Sequence, residues 1–345
     1  MKTEKSQTFV NPRILGGNAT RTCSIAGVGS YVPDRVLSNI ELEKIVDTSD
    51  TWITTRTGIK ERRMAGPEQY TSDLAAEAAR RAMAHAGITP DQIDLIIVAT
   101  ITPDTPFPST ACWLQHKIGA HRAAAFDVEA ACSGFLYGLE IGQQFVMTQT
   151  YNTVLVIGAE KLSSIIDWKD RNTCVLFGDG AGAVILRNRP QSHGLLTVCM
   201  GADGSKTGLL GMPGGGSRCP ASHESVDERL HFLRMDGKET FKHAVTAMCN
   251  AAREALHRCH IEIGQVACII PHQANRRIID AVTERLHARA DQVFVNLEKY
   301  GNTSAASVAI ALDEAVRAGR IHRGDLVLMV AFGAGFTWAS AVIEW

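Results

Sequence analysis

The 345-residue chain is 45% apolar and 21% charged, with a formal net charge of −1. That balance describes a globular protein with a sizeable core and no broad electrostatic partner, so no nucleic-acid role is expected. The sequence contains no uncharged apolar run long enough for a membrane-spanning helix.

In chain order, residues 1–22 are polar and lack the apolar stretch of a secretory signal, so they read as a disordered or adventitious extension. Near-continuous apolar runs predict strands buried on both faces at 95–100, 123–128, 153–159, 267–272, 293–297 and 326–332. Helical spacing predicts helices at 72–86, 133–149, 240–259, 274–288 and 304–318. The alternation defines an α/β protein. Nine cysteines, an odd number without a Cys-x-x-Cys pair, fit neither a disulfide framework nor a zinc ribbon. A reducing, cytoplasmic setting is expected. The "LHRCH" stretch at 256–260 lacks a second ligand pair, so no metal is expected.

The pattern occurs twice. Residues 78–97 align without a gap on 251–270, an offset of 173, with identities at Ala78, Ala79, Arg80, Ala82, Ile88, Gln92, Ile96 and Ile97. The same offset places "VLVIG" (154–158) over "VLMVA" (327–331), and glycine-rich strands recur at 176–186 and 331–343. A duplicated unit follows, with halves at 23–190 and 191–345. Each half carries a strand-to-helix junction, one holding Cys132 and the other Asn302.

A thiol with an ordinary pKa near 8.5 is only about 3% thiolate at pH 7. A helix start offers an anion up to about 2 kcal/mol, and Cys132 in "AACSGF" stands at such a start. Local sequence leaves it open between a nucleophile and a small core residue. His272 in "PHQAN" ends an apolar strand, where α/β folds place ligands, or is a satisfied core histidine. Asn302 in "YGNTSAAS" reads locally as a functional amide or a helix cap.

The three segments together resemble the β-ketoacyl-acyl-carrier-protein synthase III family, the initiating condensing enzymes of thiolase-like fold. "DTSDTWITTRTGIKER" (47–62), "FPSTACWLQ" (107–115), "LFGDGAGA" (176–183) and "FGAGFTWAS" (332–340) extend the resemblance from about Ser24 to Trp345. It implies a five-layer α-β-α-β-α architecture built from the two halves. It implies a ping-pong reaction in which Cys132 takes a short acyl group from acyl-CoA and passes it to the enolate of malonyl-acyl-carrier protein. His272 and Asn302 would be donors to the malonyl thioester oxygen, and the backbone N–H groups of Cys132 and Ala334 would form a second oxyanion hole. The family has glycine where this chain has Ala334, so an ordinary β conformation is expected there.

By the same resemblance, Trp52 and Arg171 would sandwich the CoA adenine. Thr48, Arg56, Phe241, Ala274 and Asn275 would line the pantetheine tunnel, while Lys238 and Asn172 stand at mouth positions that differ within the family. Lys242, Arg276 and Arg277 would dock the acyl carrier protein, or form an ordinary solvated face. Phe107 would close the acyl pocket of the second subunit of a homodimer and select small primers. No cofactor beyond the substrates is implied. The rivals are a related condensing enzyme of specialised metabolism with another primer or extender, and a non-catalytic paralogue. Thiolases need a second cysteine near the C-terminus, which "GAGFTWASAVIEW" lacks, and elongating synthases use two histidines. "GDGAG" (178–182) lacks the spacing of a nucleotide loop.

Overall fold

The structure is a computed structural model that describes residues 21–190 and 194–345. The expected extension lies outside the described residues through position 20, whereas Arg21 and Thr22 already open the first strand. Among the described residues, nine strands form two large sheets. These are β1 (Arg21–Tyr31), β2 (Leu95–Ala99), β3 (Ala124–Val128), β4 (Thr153–Glu160) and β5 (Gly180–Pro190), then β6 (Gly194–Ala202), β7 (Cys268–Pro271), β8 (Leu326–Gly333) and β9 (Thr337–Glu344). The first sheet runs β1-β5-β4-β2-β3 and the second β7-β8-β9-β6.

The two sheets repeat one topology. In the first, β2 is parallel to both β3 and β4, and β5 runs antiparallel between β4 and β1. In the second, β7 is parallel to β8, and β9 runs antiparallel between β8 and β6. Strands β4 and β8 begin at 153 and 326 and end at 160 and 333, so both ends obey the 173-residue shift read from the sequence.

The longer helices supply the remaining layers: α1 (Asp50–Thr57), α2 (Thr71–Ala86), α3 (Thr110–Ile118), α4 (Gly134–Met147), α5 (Gly237–Cys259), α6 (Arg276–Arg285) and α7 (Ala306–Arg317). Successive residues of β2 face opposite sides of the sheet. Leu95 and Ile97 pack inward with Phe135 and Leu139 of α4 and Val308 and Leu312 of α7, whereas Ile96 and Val98 pack outward with Leu74 and Ala78 of α2. Leu328 and Val330 of β8 pack outward with Val245 and Met248 of α5. Helices from both halves therefore fill the middle layer, giving the five-layer thiolase-like architecture.

Two expected strands need correction. The run 293–297 makes only an isolated bridge, Ile269 to Val293, and turns helical at Leu297–Tyr300. The Gln273 side chain takes over the missing ladder: its Nε2 donates to Pro271 O and Phe294 O, and its Oε1 accepts from Asn296 N. The glycine-rich run 331–343 is two strands, since residues 334–336 turn the chain from β8 into β9.

Candidate active site

Cys132 lies in a 3-10 turn, Ala131–Ser133, that leads directly into α4. Ala131 before it has a left-handed φ of 47°, and so does Ser304, 173 residues later. The two halves thus bend their chains identically at the corresponding point. A non-glycine residue held there carries about 1–2 kcal/mol of strain, which the surrounding packing must offset. The junctions abut: a Cβ added to Gly158 at the sheet surface would stand 2.3 Å from Ala305 O. Only glycine lets the second junction approach β4 this closely.

The 302–307 segment ties the three sequence candidates together. Asn302 is pinned through its backbone, donating to Leu176 O at 2.8 Å and accepting from Gly178 N at 3.0 Å. That is one structural task of the "GDGAG" loop. Another belongs to Asp179, whose buried carboxylate accepts from Ala65 N, Ser163 N and Ser163 Oγ. The Asn302 Oδ1 accepts from Ser304 N at 2.8 Å, so the amide orientation is fixed and Nδ2 is left to donate. The Ser304 Oγ is buried and makes no hydrogen bond within the protein.

His272 follows β7 immediately, its backbone N bonded to Val330 O at 2.8 Å. Its Nδ1 pairs with Ser307 Oγ at 2.6 Å, while its buried Nε2 has no protein partner. A Ser307 hydroxyl that donates to Nδ1 is the arrangement that leaves the ring proton on Nε2. Burial holds the imidazole neutral, its pKa pushed down to about 3. Cys132, His272 and Asn302 are all buried.

The expected lowering of the thiol pKa does not occur. Burial pushes Cys132 up to about 12, and the nearby Glu160 carboxyl adds to the rise. The help available at a helix start is too small to offset that desolvation. At neutral pH Cys132 therefore rests as a thiol.

Ala334 opens the 334–336 turn between β8 and β9. Its φ is not in the left-handed region, so an alanine is unstrained by φ there. The neighbour that must be glycine is Gly333, where a Cβ would meet Cys132 N at 2.6 Å. The Gly333-Ala334 corner therefore rests on the backbone of Cys132.

At the surface, Trp52 on α1 carries two guanidinium groups, with the carbon of Arg56 4.8 Å and that of Arg171 5.2 Å from its ring centroid. Arg171 also donates to Asp47 O at 3.0 Å. Trp52 and Arg171 rest directly on each other, and a flat base fits between them only after they part. Asn275 Nδ2 donates to Arg56 O at 3.2 Å, and Arg277 lies over the Phe241 ring at 5.7 Å. Ala274, two residues beyond His272, links this surface group to the buried one through Ala274 N and His272 O. The Thr48 hydroxyl is buried without a partner. Arg276 is held by Asp280 at 2.7 Å, leaving Arg277 and Lys242 as the less committed cations of the suggested docking face. Lys238 and Asn172 are exposed. Phe107, 85% exposed, and Trp113, 42% exposed, stand together in sequence near the edge strand β3. No group of three potential metal ligands occurs among the described residues, and no described helix is long and apolar enough to cross a membrane.

Sequence reasoning passed over Ser304, Ser307, Glu160 and Gln273. Both serines were visible in "YGNTSAAS". No local signal assigned Ser307 a partner, because His272 reaches it only through the fold.

A buried thiol, a neutral histidine and an oriented amide at the meeting point of two repeated halves define a condensing enzyme of the thiolase-like class. Family models described as 3-oxoacyl-[acyl-carrier-protein] synthase III and its C-terminal part match residues 126–204 and 256–345. A β-ketoacyl-[acyl-carrier-protein] synthase III from Caldanaerobacter subterraneus subsp. tengcongensis is 60% identical over 93% of this chain and 97% of its own length. The crystal structure of 3-oxoacyl-[acyl-carrier-protein] synthase III from Aquifex aeolicus is 48% identical, with a TM-score of 0.87 over 94% of this chain and all of that one (100%). The priming β-ketosynthase of the R1128 polyketide pathway is 38% identical, with the same TM-score of 0.87 over 96% of this chain and 98% of that one. The chain belongs to the 3-oxoacyl-[acyl-carrier-protein] synthase III family, a family of condensing acyltransferases.

Proposed function

We propose that the protein condenses a short acyl-CoA primer with malonyl-acyl-carrier protein to give a 3-oxoacyl-carrier protein, the step that initiates fatty-acid synthesis. The observation that carries this reading is a pair of donors each locked by a second contact: His272 through Ser307, and Asn302 through Ser304. Cys132 attacks the acyl-CoA carbonyl and keeps the acyl group as a thioester while CoA leaves. The backbone N–H groups of Cys132 and Ala334 receive the oxyanion of that attack. Malonyl-carrier protein then enters, and loss of CO2 leaves an electron pair on its α-carbon. The developing charge on its thioester oxygen falls to His272 Nε2–H and Asn302 Nδ2–H, and the carbanion attacks the acyl-Cys132 carbonyl, whose bond to sulfur breaks with its electron pair returning to Cys132.

This step needs donors and no strong base, which suits an imidazole kept neutral by burial. No resident metal or cofactor enters the reaction. Trp52, Arg171 and Arg56 would receive the nucleotide end of CoA, with Thr48, Phe241, Ala274 and Asn275 along its pantetheine arm. Lys242, Arg277 and Arg276 would meet the acidic carrier protein. The exposed Phe107 would be covered in a homodimer and cap the partner's acyl pocket.

The test is product mass after purified protein meets an acyl-CoA panel and malonyl-carrier protein. Acetyl- or propionyl-CoA should give the 3-oxoacyl product. Preference for a ten-carbon or longer primer would overturn the small-pocket reading and favour a specialised pathway. A monomeric mass by light scattering would overturn the role of Phe107.

A further inference from the structure

The two N–H groups read above as donors to the acyl oxyanion come from distant parts of the chain. Cys132 N lies at the first junction, and Ala334 N opens the turn between β8 and β9. An oxyanion needs both at about 2.7–3.1 Å at the same time, so their spacing has to be held across the fold.

One side chain touches the backbone at both places. Thr337 begins β9, directly after the turn. Its Oγ1 donates to Ala130 O at 2.9 Å and to Ala334 O at 3.2 Å. A hydroxyl carries one proton, so the two carbonyls share it in a three-centre bond. The Ala130 carbonyl belongs to the peptide unit next to the one that carries Cys132 N, and the left-handed φ of 47° at Ala131 lies between the two. The Ala334 carbonyl belongs to the peptide unit next to the one that carries Ala334 N. The hydroxyl therefore holds each N–H at a remove of one peptide.

Thr337 is itself firmly seated. Its backbone pairs with Gly333 of β8 on one side and Ala202 of β6 on the other, and its branched Cβ restricts χ1. Ser133 N also donates to Ala130 O, at 3.1 Å, so that carbonyl has both lone pairs engaged. The far end of the turn is fixed separately: Phe336 N donates to Asp203 O and Asp203 N to Phe336 O, each at 2.8 Å. Gly335 takes a φ of 133°, and a Cβ there would meet Thr337 Cγ2 at 3.0 Å. Glycine thus lets the threonine fold back over the turn.

We propose that Thr337 is a positioning residue that sets the spacing of Cys132 N–H and Ala334 N–H across the oxyanion hole. The proposal rests on the reading that those two groups receive the acyl oxyanion. The acyl carbonyl becomes tetrahedral twice, once when the Cys132 sulfur attacks it on acyl-CoA and once when the carbanion attacks it on Cys132. Thr337 therefore serves both half-reactions, whereas His272 and Asn302 serve the malonyl thioester.

The experiment is single-turnover acylation by acetyl-CoA alone, read by quenched intact mass, followed by discharge of the purified acetyl-protein with malonyl-carrier protein. Thr337→Val keeps the shape of the side chain and sets a methyl group in place of the donor. It should lower the acylation rate at saturating acetyl-CoA about 10- to 100-fold, with the half-saturating concentration changed by less than about twofold. Discharge should slow by a similar factor. Thr337→Ser retains the hydroxyl with a freer χ1 and should stay within about fivefold of wild type in both steps. Thr337→Ala removes the hydroxyl without pressing a methyl group on the carbonyls, and it decides the matter if Thr337→Val does not fold. Wild-type rates in Thr337→Val or Thr337→Ala, or a Thr337→Ser slowed as much as Thr337→Val, would overturn the proposal while the acyl-cysteine reading stood. Slowing confined to discharge would also overturn it, by moving Thr337 to the malonyl step. Absence of any adduct on the wild-type protein would overturn the acyl-cysteine reading itself.

Discussion

The two strand-to-helix junctions share a backbone bend and carry different side chains. Ala131 and Ser304 adopt the same φ of 47° at positions 173 apart. The residue after the first is the thiol Cys132, and the residue after the second is Ala305, which packs against the glycines of the first half. The shift also maps His272 onto Ala99 and Ser307 onto Gly134. In the first half those two positions pack tightly, with a Cβ on Gly134 only 3.0 Å from the Ala99 methyl. In the second half they become the His272–Ser307 pair at 2.6 Å. Under the proposed reaction, one frame would hold the acyl group on one side and the hydrogen-bond donors on the other. The difference lies in side chains at matched positions.

If the division is real, the variants should separate by half. Cys132→Ala should lower condensation by about four orders of magnitude or more, because it removes the only proposed site of covalent attachment. Product mass over time checks this, and substantial residual turnover would place the acyl group elsewhere. Asn302→Ala should lower condensation about 100- to 1,000-fold, the usual cost of one oxyanion donor, while Cys132 still takes up its acyl group. Ser307→Ala frees His272 Nδ1 and should cost roughly tenfold in condensation, about the worth of one lost hydrogen bond. Steady-state rates with malonyl-carrier protein read the effect, and loss of acylation instead would move Ser307 to the first half-reaction.

Two further variants concern the frame. Gly158→Ala drives a methyl to within 2.3 Å of Ala305 O and should destabilise by about 1–3 kcal/mol, seen as a lower melting temperature. An unchanged melting point would mean that the junctions are not packed this closely. Ala334→Gly should change turnover by less than about threefold and lower stability by about 0.4–1 kcal/mol through greater freedom of the unfolded chain. A large gain in activity would show that the alanine had misplaced the hole.

The frame was largely legible in the sequence because buried parallel strands write themselves as apolar runs. The 173-residue repeat was legible because the matched points of the two halves keep one offset with no residue gained or lost between them. The run "VFVNL" misled because apolar residues there face the core without a continuous ladder, Gln273 supplying the backbone partners. The thiol pKa misled for a related reason. A helix start is visible in sequence, whereas the depth at which Cys132 is buried is set by Gly333 and the 302–307 segment from far along the chain. Glu160 looked like the polar end of a strand, and only the fold brings the Thr100 and Thr102 hydroxyls to its carboxyl group.

The most direct test follows the acyl group itself. Wild-type protein and Asn302→Ala are each exposed to acetyl-CoA, freed of excess, and then given malonyl-carrier protein while intact mass is recorded. Both should gain one acetyl group at Cys132; the wild type should lose it promptly on condensation, and Asn302→Ala should retain it. Absence of the adduct from wild-type protein, or its equally rapid discharge from Asn302→Ala, would contradict the division of labour between the halves.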